Sequence, residues 1–123
     1  MAWKLDSDRP IYAQLLELIQ MRIISGQYPI GSRLPSVREL AAEAGVNPNT
    51  MQKAFSELER SGLIRTQRTA GRFVTQDEAL LDSLRQTLAK EYLKHFFRSM
   101  QQLGYRKEEI LSFLKAEYEE GIT

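Results

Sequence analysis

Near the start of the chain apolar residues recur every four positions, at Ile11, Leu15, Ile19 and Ile23, with Tyr12 and Leu16 widening the stripe. That spacing predicts an amphipathic helix with one face turned inward. Pro10 suits its first helical position, because a fixed φ and a missing N–H cost nothing there. Asp8 lies just upstream as a dipole-compatible acid, and Ser25-Gly26 reads as the stop. The segment Tyr28-Pro29-Ile30-Gly31-Ser32-Arg33-Leu34-Pro35 holds two prolines and a glycine and cannot continue a helix. Ser36-Val37-Arg38-Glu39 then has the form of a capping box. It opens a short helix through Ala44 that buries Val37, Leu40 and Ala41 and ends at Gly45. Asn47 is placed to cap a third helix with Pro48 at its first position. Met51, Ala54, Phe55 and Leu58 supply that helix's inward face, and Ser61-Gly62 closes it.

Two short runs follow, Leu63 to Gln67 and Arg72 to Thr75, separated by Arg68-Thr69-Ala70-Gly71. Their β-favouring residues and the glycine between them predict a hairpin. From Asp77 a long helix is expected to about Leu103, with Leu81, Leu84, Leu88, Tyr92, Phe96 and Met100 on a broad apolar stripe. Gly104 interrupts it. A last helix from Glu108 to Glu119 is expected to bury Ile110, Leu111, Leu114 and Tyr118, with Gly121 as stop. Two helices carry more apolar surface here than they can cover by folding on each other, which predicts a partner chain.

The 123 residues carry a net charge of only +1, yet the charge is unevenly placed. Up to Thr75 the chain is +3 and beyond it −2. A basic part joined to an acidic, leucine-rich part fits one region facing a polyanion and another facing protein. Zero Cys and one His exclude a disulfide framework, a thiolate zinc site, a Cys nucleophile and a multi-His metal site. No apolar run approaches a membrane span, and the N-terminus lacks the apolar region of a signal peptide, so a cytoplasmic protein without membrane contact is expected.

Three helices, the second and third separated by a Gly45-Val46 turn, and then a small hairpin describe a winged helix-turn-helix. The fold class expected is thus mainly α, with that domain over residues 1–76 and a two-helix dimerisation domain over 77–123. In such a fold the third helix enters the major groove of double-stranded DNA and the second crosses the backbone. Opposite the apolar face of the third helix, Asn49, Lys53 and Ser56 point outward, with Thr50 and Gln52 on the flanks. Asn and Gln can pair two-pronged with adenine, Thr can meet a thymine methyl, and Lys can reach guanine or phosphate.

Four ordered blocks carry a resemblance. Leu34-Pro35-Ser36-Val37-Arg38-Glu39-Leu40-Ala41, Gly45-Val46-Asn47-Pro48-Asn49-Thr50, Phe55 through Ile64 and Gly71-Arg72-Phe73-Val74 resemble the signature of GntR-family bacterial transcription regulators. The Asn47-Pro48-Asn49-Thr50 block and the short remainder are similar to the YtrA subfamily. That resemblance implies a homodimer held by two C-terminal helices, in place of a large effector-binding domain. It also implies a palindromic operator and, often, repression of a transporter operon. By position, Arg38 matches the family arginine that leaves the second helix for DNA, with Arg33 and Ser36 beside it. Asn47, Asn49, Thr50, Gln52 and Lys53 match the recognition surface; Arg68, Thr69 and Gly71, with Arg72, match the wing that visits the minor groove. The family usually has a glycine where Thr69 stands. Either Thr69 widens the tip and turns Arg68 and Arg72 into phosphate clamps, or Gly71 supplies the one positive φ the turn needs.

Other readings have less material. Glu108-Glu109 and Glu119-Glu120 are adjacent pairs about 100° apart on a helix, among lysines, and do not form a convergent acid–base pair; no enzyme activity and no cofactor are expected. His95 reads as a surface or interface residue. A protein-binding winged helix would not need Arg38, Lys53 and Arg68 on its three DNA-facing elements. The aromatics Tyr92, Phe96, Phe97, Tyr105 and Phe113 read as core or dimer packing, with a small hydrophobic effector between chains as the remaining alternative.

Overall fold

The computed structural model describes residues 3–121. Along the chain run α1 (Ile11–Ile24), α2 (Val37–Ala44), α3 (Pro48–Arg60), β1 (Ile64–Gln67), β2 (Gly71–Val74), α4 (Glu78–Gln102) and α5 (Lys107–Glu119). Two compact units divide inside α4, one up to Asp82 and the other from Ser83.

In the first unit α3 is the hub, packed by α1, by α2 and by β1. Leu15, Ile19 and Ile23 of α1, Leu40, Ala41 and Ala44 of α2, and Met51, Ala54, Phe55 and Leu58 of α3 form the core, closed by Leu34, Leu63, Ile64 and Val74. Val37, expected inside, is only half-buried, because the first turn of α2 lies at the edge. The capping box is complete: Ser36 Oγ accepts from the Glu39 N–H at 3.0 Å, and Glu39 Oε1 accepts from the Ser36 N–H at 3.1 Å. Gly45 ends α2 at φ +74°, and Ala41 O accepts from both Gly45 N–H and Val46 N–H. Asn47 Oδ1 accepts from the Asn49 N–H at 2.7 Å with Pro48 at the first helical position, so α3 restarts at once.

Pro10 departs from its expected place. Its ψ of 128° is extended, so it flanks α1 as the cap and Ile11 is the first helical residue. The segment before it is tied down by a side chain the periodicity does not single out. Gln14, buried on α1, accepts from the Asp6 N–H at 2.6 Å and donates to the carbonyls of Asp6 and Arg9. Trp3 continues this strap: its Nε1 donates to Glu43 at 2.6 Å, and the Arg22 guanidinium sits 4.4 Å from its ring while pairing with the same carboxylate.

The hairpin is antiparallel, with Ile64 opposite Val74 and Gln67 opposite Gly71. The non-helical segment between α1 and α2 joins its edge. Leu34 N–H donates to Arg72 O, Val74 N–H donates to Ser32 O, and Arg33 bridges Phe73. The three-residue tip is closed by the Ala70 N–H to Gln67 O bond, and Gly71 follows at φ +107°. Thr69, like every other non-glycine residue described, has a negative φ. The wider tip considered from the sequence is therefore not formed, because Gly71 alone carries the strained conformation.

Buried Thr75 leads into α4 by accepting from the Asp77 N–H, and Asp77 Oδ1 caps the Leu80 N–H at 3.1 Å. Leu81 is buried in this first unit, and Leu80 approaches Gly62. In the second unit Gly104, at φ +97°, ends α4, and Glu109 accepts from the Arg106 N–H at the start of α5. Ile110 is wholly buried, and Tyr105 meets Phe113 edge-on. The rest of the expected inner face of α5 is not buried. Leu111, Leu114 and Tyr118 are 59%, 38% and 69% exposed, since one chain supplies nothing to cover them.

Candidate nucleic-acid interface

Local sequence fixes how the first unit presents its polar side chains. The cap Gly45 closes α2 and the cap Asn47 opens α3 with only Val46 between them, and the strict burial of Met51, Ala54, Phe55 and Leu58 sets the rotation of α3. Asn49, Lys53 and Ser56 are consequently exposed on its opposite side, while Thr50 and Gln52 are half-buried at the flanks. Asn47 spends its Oδ1 on the cap and keeps its amide N–H groups for an outside acceptor. Ser36 likewise keeps its hydroxyl proton, and Arg38 is exposed at the start of α2 without an ion pair among the described residues. Glu39, beside it, is held below the usual carboxylate range by the bonds to Ser36, so it stays charged and its cap persists.

Across the hairpin Arg68 is exposed at the tip, while Arg33 lies so close that a Cβ on Gly71 would meet its Nε at 3.0 Å. A further arginine, Arg65, is marked by no motif in the sequence. It is exposed and opposite Phe73 on the hairpin's outer face, and strand alternation from buried Ile64 was the signal that finds it.

Two expected contacts are turned elsewhere. Lys53 lies 4.5 Å above the ring of Tyr12 on α1, so its ammonium is drawn to the side of the polar face of α3. Arg72, expected among the wing cations, shares a strand face with buried Val74 and folds onto α3. Its Nε donates to Glu59 at 3.0 Å, and its guanidinium rests 5.5 Å from the Phe55 ring. Neither a Gly-rich phosphate loop nor, among the described residues, a cluster of metal-binding side chains accompanies these groups.

A helix-turn-helix whose outer helix is polar on its free side, backed by a hairpin with exposed arginines, defines a winged helix-turn-helix DNA-binding domain. The chain belongs to the GntR family: residues 11–74 match the profile described as bacterial regulatory proteins, gntR family. It is 40% identical over 115 residues to the HTH-type transcriptional regulator YhcF of Bacillus subtilis, covering 94% of this chain and 95% of that one. It is 36% identical over 110 residues to the HTH-type transcriptional repressor YtrA of the same organism, covering 89% and 85%. A solved GntR-family regulator from Listeria monocytogenes superposes with a TM-score of 0.84 at 38% identity, over 91% of this chain and 98% of that one. The protein is thus a DNA-binding transcriptional regulator, and no helix among its described residues is long and apolar enough to cross a membrane.

Proposed function

We propose that the protein is a homodimeric repressor that reads a palindromic operator, with the first turns of α3 in the major groove and the hairpin tip beside it. One observation carries the reading: the side chains of α3 divide cleanly, four apolar residues wholly buried and Asn49, Lys53 and Ser56 exposed opposite them. Asn49 and Gln52 read bases in this proposal; Arg38 and Arg33 hold phosphates, and Arg68, on the tip that Gly71 turns, enters the minor groove. Pairing is assigned to the second unit, where Tyr92, Leu93, Leu103, Leu111 and Tyr118 are each more than half exposed. Leu84, Leu88, Phe96, Met100 and Leu114 extend that surface. Leu81 and Ile110 drop out of the dimer face, because both are already buried within the chain. Repression is drawn from the likeness to YtrA, and control of a transporter operon from the subfamily resemblance; a regulator of chromosomal genes works in the cytoplasm.

Sedimentation at micromolar concentration should give a dimer, and Leu111→Glu with Tyr118→Glu a monomer of much weaker DNA binding. Duplexes selected from a random library should carry inverted half-sites about one helical turn apart, roughly 10 bp, or a multiple. Asn49→Ala should cost about 1–3 kcal/mol on selected DNA and little on scrambled DNA. Arg38→Ala should weaken both and flatten the log–log salt dependence by about one unit per protomer. A full-length monomer that binds a non-repeated site tightly would overturn the dimer reading.

A further inference from the structure

Gln52 is held at both ends of its amide. Its Oε1 accepts from Arg72 Nη2 at 3.4 Å, and its Nε2 donates to Ser56 Oγ at 3.3 Å, one turn along α3. Arg72 is in turn fixed by Glu59 on α3, at 3.0 Å from Nε, and by the ring of Phe55 beneath it. We infer that Arg72 is a positioning residue: it reaches from the second strand of the hairpin to α3 and sets which end of the Gln52 amide faces the base as acceptor. The inference rests on the proposed base-reading role of Gln52.

The chemistry is complete without a further group. An amide oxygen has two lone pairs and an amide nitrogen two N–H groups, so bonds to Arg72 and Ser56 leave one acceptor and one donor free. Those are the two sites a glutamine needs for adenine N6 and N7. A free amide would sample both orientations, whereas a guanidinium can only donate, and so admits only the oxygen. Glu59 also offsets the charge of Arg72, which weakens it as a phosphate contact. Base reading and hairpin geometry are thereby coupled, because the backbone of Arg72 is locked in register by its pairing with Thr66 and by the Leu34 N–H.

The test uses the full chain and duplexes enriched by the wild-type protein from a random library. Gln52→Ala should lower preference at its base by roughly 5- to 150-fold. Arg72→Met should lower preference at that same base to within a factor of about 3 of Gln52→Ala, with the salt slope unchanged, and should add nothing in the double variant. Glu59→Gln, which leaves Arg72 in place, should relax the same base preference. The inference fails if Arg72→Met flattens the salt slope by about one unit per protomer with base preference intact, or if Glu59→Gln tightens binding to every duplex. Both results would mark Arg72 as a phosphate contact. Arg72→Lys, which keeps the charge but cannot span both partners, gives the same base-preference readout if Arg72→Met does not fold. A wild-type protein that enriches no sequence would refute base reading itself, an outcome distinct from enrichment that Arg72 variants leave unaltered.

Discussion

Replacing Gly71 by alanine puts the hairpin's turn chemistry to a quantitative test. Gly71 sits at φ +107°, a conformation that residues with a Cβ rarely adopt, and it is paired in register with Gln67. Forcing alanine into it costs of order 1–3 kcal/mol. The new Cβ would also stand 3.0 Å from Arg33 Nε, but that is the far end of a flexible side chain and can swing away at small cost. In a cooperative unit of this size each kcal/mol lowers Tm by about 4–8 °C, so thermal unfolding followed by circular dichroism should show a fall of about 4–24 °C. Thr69→Gly is the matched control. Thr69 already has a negative φ, so glycine there relieves nothing and only enlarges the unfolded ensemble, costing about 1 kcal/mol or less. Should Gly71→Ala melt within about 1 °C of wild type while Thr69→Gly falls further, the assignment of the strained position would be refuted.

Ser36→Ala should remove about 1 kcal/mol, read as a lower urea midpoint, because the Glu39 N–H loses its acceptor and the capping box its reciprocal bond. Gln14→Leu should cost about 1–3 kcal/mol by leaving the Asp6 and Arg9 backbone groups without their partner, and Trp3 fluorescence should report release of the strap. Glu43 is held below its ordinary value by hydrogen bonds from Arg22 and Trp3, so the stability it contributes is present above the unfolded carboxylate pKa and lost as pH falls through the folded one. Urea midpoints should therefore fall less steeply on acidification for Glu43→Gln than for wild type, and equal slopes would exclude Glu43 from the acid response.

What the sequence disclosed followed the range of the interactions involved. Caps at Ser36 and Asn47, the stop at Gly45 and the inward face of α3 depend on residues two to four apart, and each is where the pattern puts it. Pro10 stands one position before the one its context predicts, because the cap and the first helical position both tolerate a missing N–H. The strap through Trp3 and Gln14, and the pairing of Ser32 to Leu34 with β2, join segments eight to about forty residues apart and leave no local period. A helical wheel gives the direction of a Cβ but not the destination of a long side chain, so the contact of Lys53 with Tyr12 does not follow from it. Arg72 was legible in principle: two residues before buried Val74, it lies on the inner face of its strand.

The joint between α2 and α3, Gly45 and Val46 with the cap Asn47, has a consequence for how such a protein can change over time. With Ala41 O holding both N–H groups and Asn47 already capping the next helix, there is no slack to absorb a change of length. One residue added or removed there would break the Gly45 or the Asn47 cap, while the buried face of α3 would go on holding Asn49 and Lys53 outward. Under the proposed reading, exchanges at Asn49, Thr50 and Gln52 alter DNA preference on an unmoved backbone, whereas insertions and deletions at the joint cost the caps and with them the stability of the unit that reads. The joint divides mutations into those that rewrite the address and those that lose it.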